Sequence, residues 1–275
     1  RPNCAGIIGY GSGVKPQVGQ EKRKPQIDLI VIVKDLKAWH KENIKRNPKD
    51  YAFSSKLFFR FAPTKWLKAG GKICYMTYIP FEGHKYKIGT IEETDFLHDL
   101  KKWETFYMAG RMQKPILIVK ATKEIELAIE YNRQAGVKVT QLMYDKNPEI
   151  KDFYITLASL SYIGDTRMGI AENPDKVQNI VLGNLDFYNE IYGQQLQIKN
   201  DYVQIKQNFS LETLPDDLKE YIDKNDQPIK DKITSFLTAK NKSQSMTQTL
   251  KGIFTTGPVR SIKYAAEKLK RRKRK

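Results

Sequence analysis

A turn written Gly9-Tyr10-Gly11-Ser12-Gly13 closes the apolar run Ala5-Gly6-Ile7-Ile8 and has the composition of a phosphate cradle. Without Cβ atoms the backbone can approach an anion closely, its N–H groups can face phosphate oxygens, and the Ser12 hydroxyl adds a donor. A short way downstream, Gln26-Ile27-Asp28-Leu29-Ile30-Val31-Ile32-Val33 reads as a β-branched strand with one carboxylate near its start. An Asp among Ile, Leu and Val is costly to bury unless it is paired or bound to metal. On neighbouring strands, these two stretches would hold a triphosphate against a divalent ion.

Further candidates are charged groups placed where a phosphate could use them. Lys87 lies in the second of two β-rich stretches, 72–79 and 85–91, which read as a hairpin extending the same sheet, with Lys85 and Gly89 in similar reach. Arg111 and Lys114 stand three apart before Pro115, a spacing that puts both on one helical face and suits a phosphate. Asp165, Arg167 and Lys176 flank a break between helices, where Asn173 fits an N-cap and Pro174 a first turn. Capping accounts for Asn173 and Pro174 but not for the charged trio, which suits an anion or a bridged metal. His40 and Asn43 share a face of a helix over 35–46 capped by Asp35, and a lone His on such a helix is ordinarily structural or exposed.

The Gly-Ser strand end beside an Asp-bearing strand is the arrangement of the DNA-polymerase-β-like nucleotidyltransferases. The likeness narrows through Tyr10-Gly11-Ser12-Gly13-Val14, Pro25-Gln26-Ile27-Asp28, Trp39-His40 with Asn43, Asn47-Pro48 and Tyr51. It continues through Trp103, Phe106-Tyr107-Met108-Ala109-Gly110-Arg111-Met112-Gln113-Lys114-Pro115 and Ser161-Tyr162-Ile163-Gly164-Asp165-Thr166-Arg167. The last words are Glu172-Asn173-Pro174-Asp175-Lys176-Val177, Lys251-Gly252-Ile253-Phe254-Thr255 and Ser261-Ile262-Lys263-Tyr264-Ala265. Over nearly its whole length the chain resembles the mitochondrial translocator assembly and maintenance family, the mitochondrial-type CDP-diacylglycerol synthases.

That resemblance implies a phosphatidate cytidylyltransferase, which moves CMP from CTP to phosphatidic acid and releases pyrophosphate, with Mg2+ as cofactor, on a membrane surface. The pathway it implies is phospholipid synthesis toward cardiolipin and phosphatidylglycerol. Asp28 is then the catalytic and metal-binding carboxylate, with Gly11, Ser12, Lys87, Arg111, Lys114, Asp165, Arg167 and Lys176 around the nucleotide. His40, Asn43 and Tyr51 are placed near the base, ribose or lipid phosphate. The resemblance also implies a winged-helix-like module after the nucleotidyltransferase domain. The implied location is the matrix face of the mitochondrial inner membrane in a eukaryote, or the cytoplasmic face of the plasma membrane in a bacterium.

One position departs from the superfamily pattern. Such enzymes commonly carry two acids two residues apart on the strand, so that both point to one side; here the second position is Ile30. Asp35 stands at an odd offset from Asp28 and would face the other way. A second ligand is therefore expected from Glu92, Glu93 or Asp165, or else nucleotide phosphates and water complete the octahedron.

The elements that must position these groups form an α+β chain. With 275 residues, 40% of them hydrophobic and 29% charged, it can bury a core and is not disordered. Lys and Arg number 48 against 31 acids, so the surface should favour polyanions: nucleotide, anionic lipid or nucleic acid. Cys4 and Cys74 lack a disulfide framework and read as small apolar residues. No run approaches the roughly 20 apolar residues of a spanning helix.

The expected domains are a nucleotidyltransferase domain with a mixed sheet over 1–112, a mainly helical winged-helix-like domain over 113–228, and a helical segment over 229–275. A helix over 54–68 should bury Leu57, Phe58, Phe61 and Leu67, residues 196–210 should supply a hairpin or wing, and a Ser/Gln-rich break should divide the last segment before Met246. Between Arg260 and Lys275 there are nine Lys or Arg and one acid, with Val259, Ile262, Ala266 and Leu269 at helical spacing. This basic amphipathic helix should place Arg260, Lys263, Lys268, Lys270, Arg271 and Arg272 against an anionic membrane. Two other readings stay open: an RNA or small-molecule nucleotidyltransferase with its tail on nucleic acid, or a non-catalytic lipid-binding assembly factor in which Ile30 marks a lost metal site. CTP, phosphatidic acid and an anionic membrane surface are the expected partners, ahead of nucleic acid.

Overall fold

The glycine turn and the aspartate strand do lie side by side. In the computed structural model, which describes residues 2–15, 17–18, 26–168, 173–205 and 210–257, β1 (Gly6–Tyr10) pairs antiparallel with β2 (Ile27–Val33), and Tyr10 stands opposite Asp28. Helix α1 (Leu36–Arg46) follows, with the Asp35 carboxylate accepting from the Ala38 N–H at 2.8 Å as the cap requires. The expected helix over 54–68 is two pieces, α2 (Phe53–Phe61) and α3 (Thr64–Leu67). Pro63 explains the split, because it forces Ala62 into extended backbone and lacks a donor of its own. The hairpin is present as β3 (Cys74–Phe81) and β4 (His84–Glu92), and β4 runs parallel to β2 with Lys87 opposite Asp28.

After α4 (Glu93–Lys102) and the single turn α5 (Ala109–Met112), strand β5 (Ile116–Lys120) joins the far side of β1. The sheet order is β3-β4-β2-β1-β5, with one parallel pair among antiparallel neighbours, so the fold is α+β with a mixed sheet. A first domain ending at residue 112 would cut this sheet and strip β1 of its outer partner, and the mainly helical reading of 113–228 missed β5.

The two faces carry separate cores. Ile8, Ile30, Ile32 and Ile91 pack beneath α4, α5 and α6 (Lys123–Gln141), whereas Val31, Val33, Cys74, Met76 and Ile88 pack against α1, α2 and α3. The alternation along β2 produces this division, since successive side chains leave opposite faces.

A helical unit continues from α6 through α7 (Ile150–Ser159), α8 (Lys176–Leu182) and α9 (Leu185–Tyr192). Helix α8 begins at Lys176, and the Asn173 carboxamide accepts from the Asp175 N–H in the turn before it, so Asp175 and not Asn173 is the cap residue. The expected hairpin is β6 (Ile198–Lys199) and β7 (Tyr202–Val203), joined through Asn200 and Asp201, both at positive φ as a tight hairpin turn demands. Helix α10 (Asp216–Asp223) precedes α11 (Ile229–Thr256), which is unbroken for 28 residues. The Ser/Gln-rich stretch is no break because its polar side chains are used. Asn241 donates to the Leu160 and Ile163 carbonyls, Gln248 to that of Ile73, and Lys251 to those of Leu67 and Ala69. Helix α11 thereby fastens the helical unit to the sheet. The basic tail residues Arg260, Lys263, Lys268, Lys270, Arg271 and Arg272, expected against a membrane, lie outside the described residues.

Candidate active site

Gly11 leaves β1 at φ +73, a conformation that costs a side-chain-bearing residue strain, and its carbonyl accepts from the Val14 and Lys15 N–H groups at 3.1 and 3.0 Å. A Cβ at Gly11 would come within 3.4 Å of Asp28 Oδ2, so the turn and the carboxylate form one cradle, with Ser12 beside it. Lys87 shares the face of Asp28, its ammonium 4.2 Å above the Tyr75 ring. Gly89, in contrast, serves packing: a Cβ there would meet that ring at 2.6 Å. Lys85 sits over Tyr78 toward the hairpin end, 5.7 Å from the ring centroid.

The helical unit brings the remaining cations to this face. Arg111 lies 3.6 Å over the Tyr107 ring and donates to the Tyr107 carbonyl at 2.6 Å. Lys114 donates to the Gly110 carbonyl at 2.7 Å and to the Ser161 hydroxyl, and Tyr162 has Lys114 and Lys176 over its ring at 4.7 and 5.4 Å. Arg167 clasps Asp165 through Nε at 2.9 Å and Nη2 at 2.6 Å. Tyr107, Arg111, Ser161, Asp165 and Arg167 share a crevice of about 20 Å³ with Asn241, Gln244 and Ser245 of α11. A larger hollow of about 580 Å³ lies between Met143 and Thr156 beside Lys230 and contains none of the predicted site residues. The charged side chains singled out in the sequence converge at the crevice and not at the hollow.

Charge crowding sets the chemistry here. Burial and the neighbouring Arg111, Lys176 and Arg167 push the Lys114 ammonium well below its usual range. Burial would raise the Tyr107 phenol, but Arg111, Arg167 and Lys87 outweigh it and hold it below the usual value. The Tyr10 and Tyr75 phenols are raised, chiefly by burial, and neither hydroxyl makes a hydrogen bond of normal geometry. Among the described residues the cations here outnumber the carboxylates Asp28 and Asp165, and a polyphosphate adds negative charge and acceptors.

Two kinds of residue were missed in the sequence. Tyr10, Tyr75 and Tyr107 were given no role, Tyr10 and Tyr107 standing only within the words that carry the family resemblance. Asp99 holds the loop that carries Tyr107 and leads into α5: its Oδ1 accepts from the Thr105 N–H, the Thr105 hydroxyl and the Phe106 N–H, and its Oδ2 from the Met108 and Ala109 N–H groups, all within 3.1 Å. The available signal was its place in the apolar stripe Phe96, Asp99, Leu100 and Trp103, where a carboxylate must be heavily bonded.

Three predicted residues are elsewhere. His40, Asn43 and Tyr51 are buried against the opposite face of the sheet, where the His40 ring stacks on Phe59 with centroids 3.7 Å apart. Asn43 donates to the Tyr51 hydroxyl at 2.8 Å, Tyr51 and Thr90 bond the two His40 nitrogens at 2.9 and 2.6 Å, and Thr90 donates to the Cys74 carbonyl. With Thr90 so committed, His40 Nε2 carries the proton and Nδ1 accepts from Tyr51. Burial lowers the His40 pKa to about 3, so the ring is neutral and structural, and the placement near base, ribose or lipid phosphate does not hold. Glu92 and Glu93 also drop out as ligands. They stand beside Val33 at the far end of β2 from Asp28, Glu92 paired with Lys68 and Glu93 with Lys34.

The fold and this cleft define a class: an α+β protein whose mixed sheet sets the Asp28 carboxylate and a glycine-serine turn beside a bank of half-buried cations, a setting suited to a phosphorylated ligand. Comparison with known proteins is more specific. The family model described as "Phosphatidate cytidylyltransferase, mitochondrial" matches residues 2–213 and 198–271, and the chain belongs to that family. The protein of that name from Schizosaccharomyces pombe is 33% identical over 96% of this chain and 79% of its own length. Its namesakes from Saccharomyces cerevisiae and Bos taurus are 34% and 32% identical, over 98% and 94% of this chain and 68% and 88% of their own lengths.

Proposed function

We propose that this protein is a phosphatidate cytidylyltransferase. A phosphate oxygen of phosphatidic acid attacks the α-phosphorus of CTP, the bond to the bridging β-oxygen breaks, and pyrophosphate leaves as CDP-diacylglycerol forms. The observation that supports it most is the convergence of Gly11 and Asp28 with Lys87, Arg111, Lys114, Arg167 and Lys176. Two phosphorylated substrates bring several negative charges together, and catalysis of this kind is chiefly positioning and charge neutralisation. A bound triphosphate also returns to Lys114 the partner charge that burial and its cationic neighbours deny it. The crevice holds little more than one water, so nucleotide entry draws Arg111 and Lys114 off their present carbonyl partners.

Among the described residues no group of three His, Cys, Asp or Glu side chains is placed to hold a metal by protein ligands alone. Ile30, at the position of the usual second acid, is fully buried in the core. Asp28, open to the cradle at Gly11, fits Mg2+ of the kind that arrives on a nucleotide, with phosphates and water as its other ligands. When bound, that ion supplies neutralisation of charge on the α-phosphate.

In this reading β1, β2 and β4 form the nucleotidyltransferase core, α6 to β7 form the winged-helix-like module, and the enzyme is peripheral on the matrix face of the mitochondrial inner membrane. Among the described residues no helix is long and apolar enough to cross a membrane. The decisive experiment incubates the protein with radiolabelled CTP, Mg2+ and detergent-dispersed phosphatidic acid. Labelled CDP-diacylglycerol and an equal yield of pyrophosphate are expected, lost with a chelator. Label appearing in RNA, or no turnover by folded protein, rejects the reading.

A further inference from the structure

Helix α2 buries the wrong side for a core helix. Ser55 and Phe59 face inward, while Phe53, Leu57 and Phe61, four apart, face solvent, Phe53 being 77% and Phe61 68% exposed. The sequence pattern had assigned Leu57 and Phe61 to the core. Trp66 on α3, five residues after Phe61, is 54% exposed. The last turns of α11 lie alongside: Phe254 stacks on Phe58 with centroids 6.0 Å apart, a Cβ at Gly257 would meet Ala52, and Leu250, Ile253 and Phe254 are exposed. Contiguous apolar surface of this extent marks an interaction site.

We propose that this face of α2, α3 and the end of α11 seats the protein on an anionic bilayer, its aromatic side chains entering the headgroup region. Charge selects the occupant. No acid occurs between residues 51 and 72 or between 232 and 266, and Arg60 and Lys65 are exposed at the rim of the apolar stripe. A second copy of this chain would bring the same acid-free surface and the same net +17, so like charges oppose self-association through it. An anionic bilayer offers apolar depth and negative charge together. The chain also leaves this face at Gly257 toward the most basic stretch of its sequence. Helix α11 lines the cationic crevice with Ser245 and reaches the apolar face at Phe254, about 14 Å further along its axis. A bilayer seated there lies close to the cleft. The choice of a bilayer rests in part on the lipid substrate proposed above, so the test reads binding separately from turnover.

Trp66 is the natural probe, because the other tryptophans, Trp39 and Trp103, are 4% and 0% exposed. In the full chain without vesicles, iodide should quench Trp66. With phosphatidylglycerol/phosphatidylcholine vesicles its emission should shift to the blue and be quenched by brominated acyl chains; pure phosphatidylcholine vesicles should do much less. The double variant Phe53→Ser/Phe61→Ser should bind the anionic vesicles about tenfold or more weakly, while its melting temperature and its turnover on detergent-dispersed phosphatidic acid stay unchanged; Phe61→Leu should bind like the parent. Vesicle binding by the full chain with no change at Trp66 overturns the proposal. So does protection of Trp66 from iodide before lipid is added, which means the face is already covered, by a second copy if sedimentation shows a dimer and by the chain itself if it does not. Loss of all turnover with Trp66 still entering the bilayer would reject the proposed reaction and leave this surface standing.

Discussion

On one face of the sheet, Asn43, Tyr51, His40 and Thr90 pass hydrogen bonds from one to the next until the Cys74 carbonyl accepts the last. On the other, among the described residues the Tyr10 and Tyr75 hydroxyls make no hydrogen bond of normal geometry, and Lys87, Arg111, Lys114 and Arg167 share a small space with Asp28 and Asp165. The first cluster is buried and the second largely half-buried, and both are polar and rich in the residue types that sequence reading treats as catalytic. They differ in closure. The first is neutral and satisfied, which is how a buried polar network stabilises a fold; the second, among the described residues, gathers more cations than carboxylates, which a fold by itself has no reason to keep. The comparison teaches that unmet demand, more than residue type, distinguishes a site from a strut.

The largest effect should come from Asp28. Asp28→Ala should lower kcat by about 10³ with the melting temperature nearly unchanged, since the side chain acts on substrate and not on the core. Retention of more than about a tenth of kcat, equivalent to roughly 1.4 kcal/mol, would remove Asp28 from the chemistry.

Next comes the opposite face, read in stability. His40 keeps a pKa of about 3 in the fold against 6.5 in the unfolded chain, so below pH 6.5 only the unfolded state takes up its proton. Its contribution is fully present above pH 6.5 and is lost as pH falls toward 3, by up to about 1.4 kcal/mol per pH unit. Urea titrations at pH 6.5 and pH 5 should show a drop about 2 kcal/mol larger in the parent than in His40→Gln. Equal drops in the two proteins would mean that His40 is not held neutral.

A crossed pair of tyrosines sharpens the contrast. Tyr75→Phe should leave stability intact or slightly improved, because it deletes a buried hydroxyl without a hydrogen bond of normal geometry, and should lower kcat/KM about tenfold. Tyr51→Phe should cost about 1 to 3 kcal/mol of stability and leave kinetics in detergent alone. An exchange of these outcomes would assign the two faces the other way round. The smallest change is Ser12→Ala, which removes one donor at the turn and should raise KM for CTP a few-fold, by about 0.5 to 1.5 kcal/mol. An unchanged KM would make that turn an ordinary strand end.

Much of this protein was determined by local order in the chain. Alternation along Gln26 to Val33 makes a strand whose two sides enter different cores; Asp35 caps α1; Gly11, with its positive φ, ends β1 beside Asp28. The words around Arg111, Asp165 and Lys176 identified the family that the comparisons bear out. Even the role of His40 was written locally, since Leu36, Trp39, His40 and Asn43 make one buried stripe on α1. Tertiary structure alone decided three things. Whether a buried polar group finds a partner depends on what lies across from it: Thr90 for His40, and among the described residues no partner of normal geometry for Tyr75. Which cations meet depends on α11 drawing the helical unit onto the sheet edge, contacts made across more than a hundred residues. The apolar stripe of α2 has a period that a core helix and a surface helix share. Only the position of α2 at the rim, with Ser55 turned inward, sends Phe53 and Phe61 to solvent, because periodicity gives the spacing of a face and not its direction.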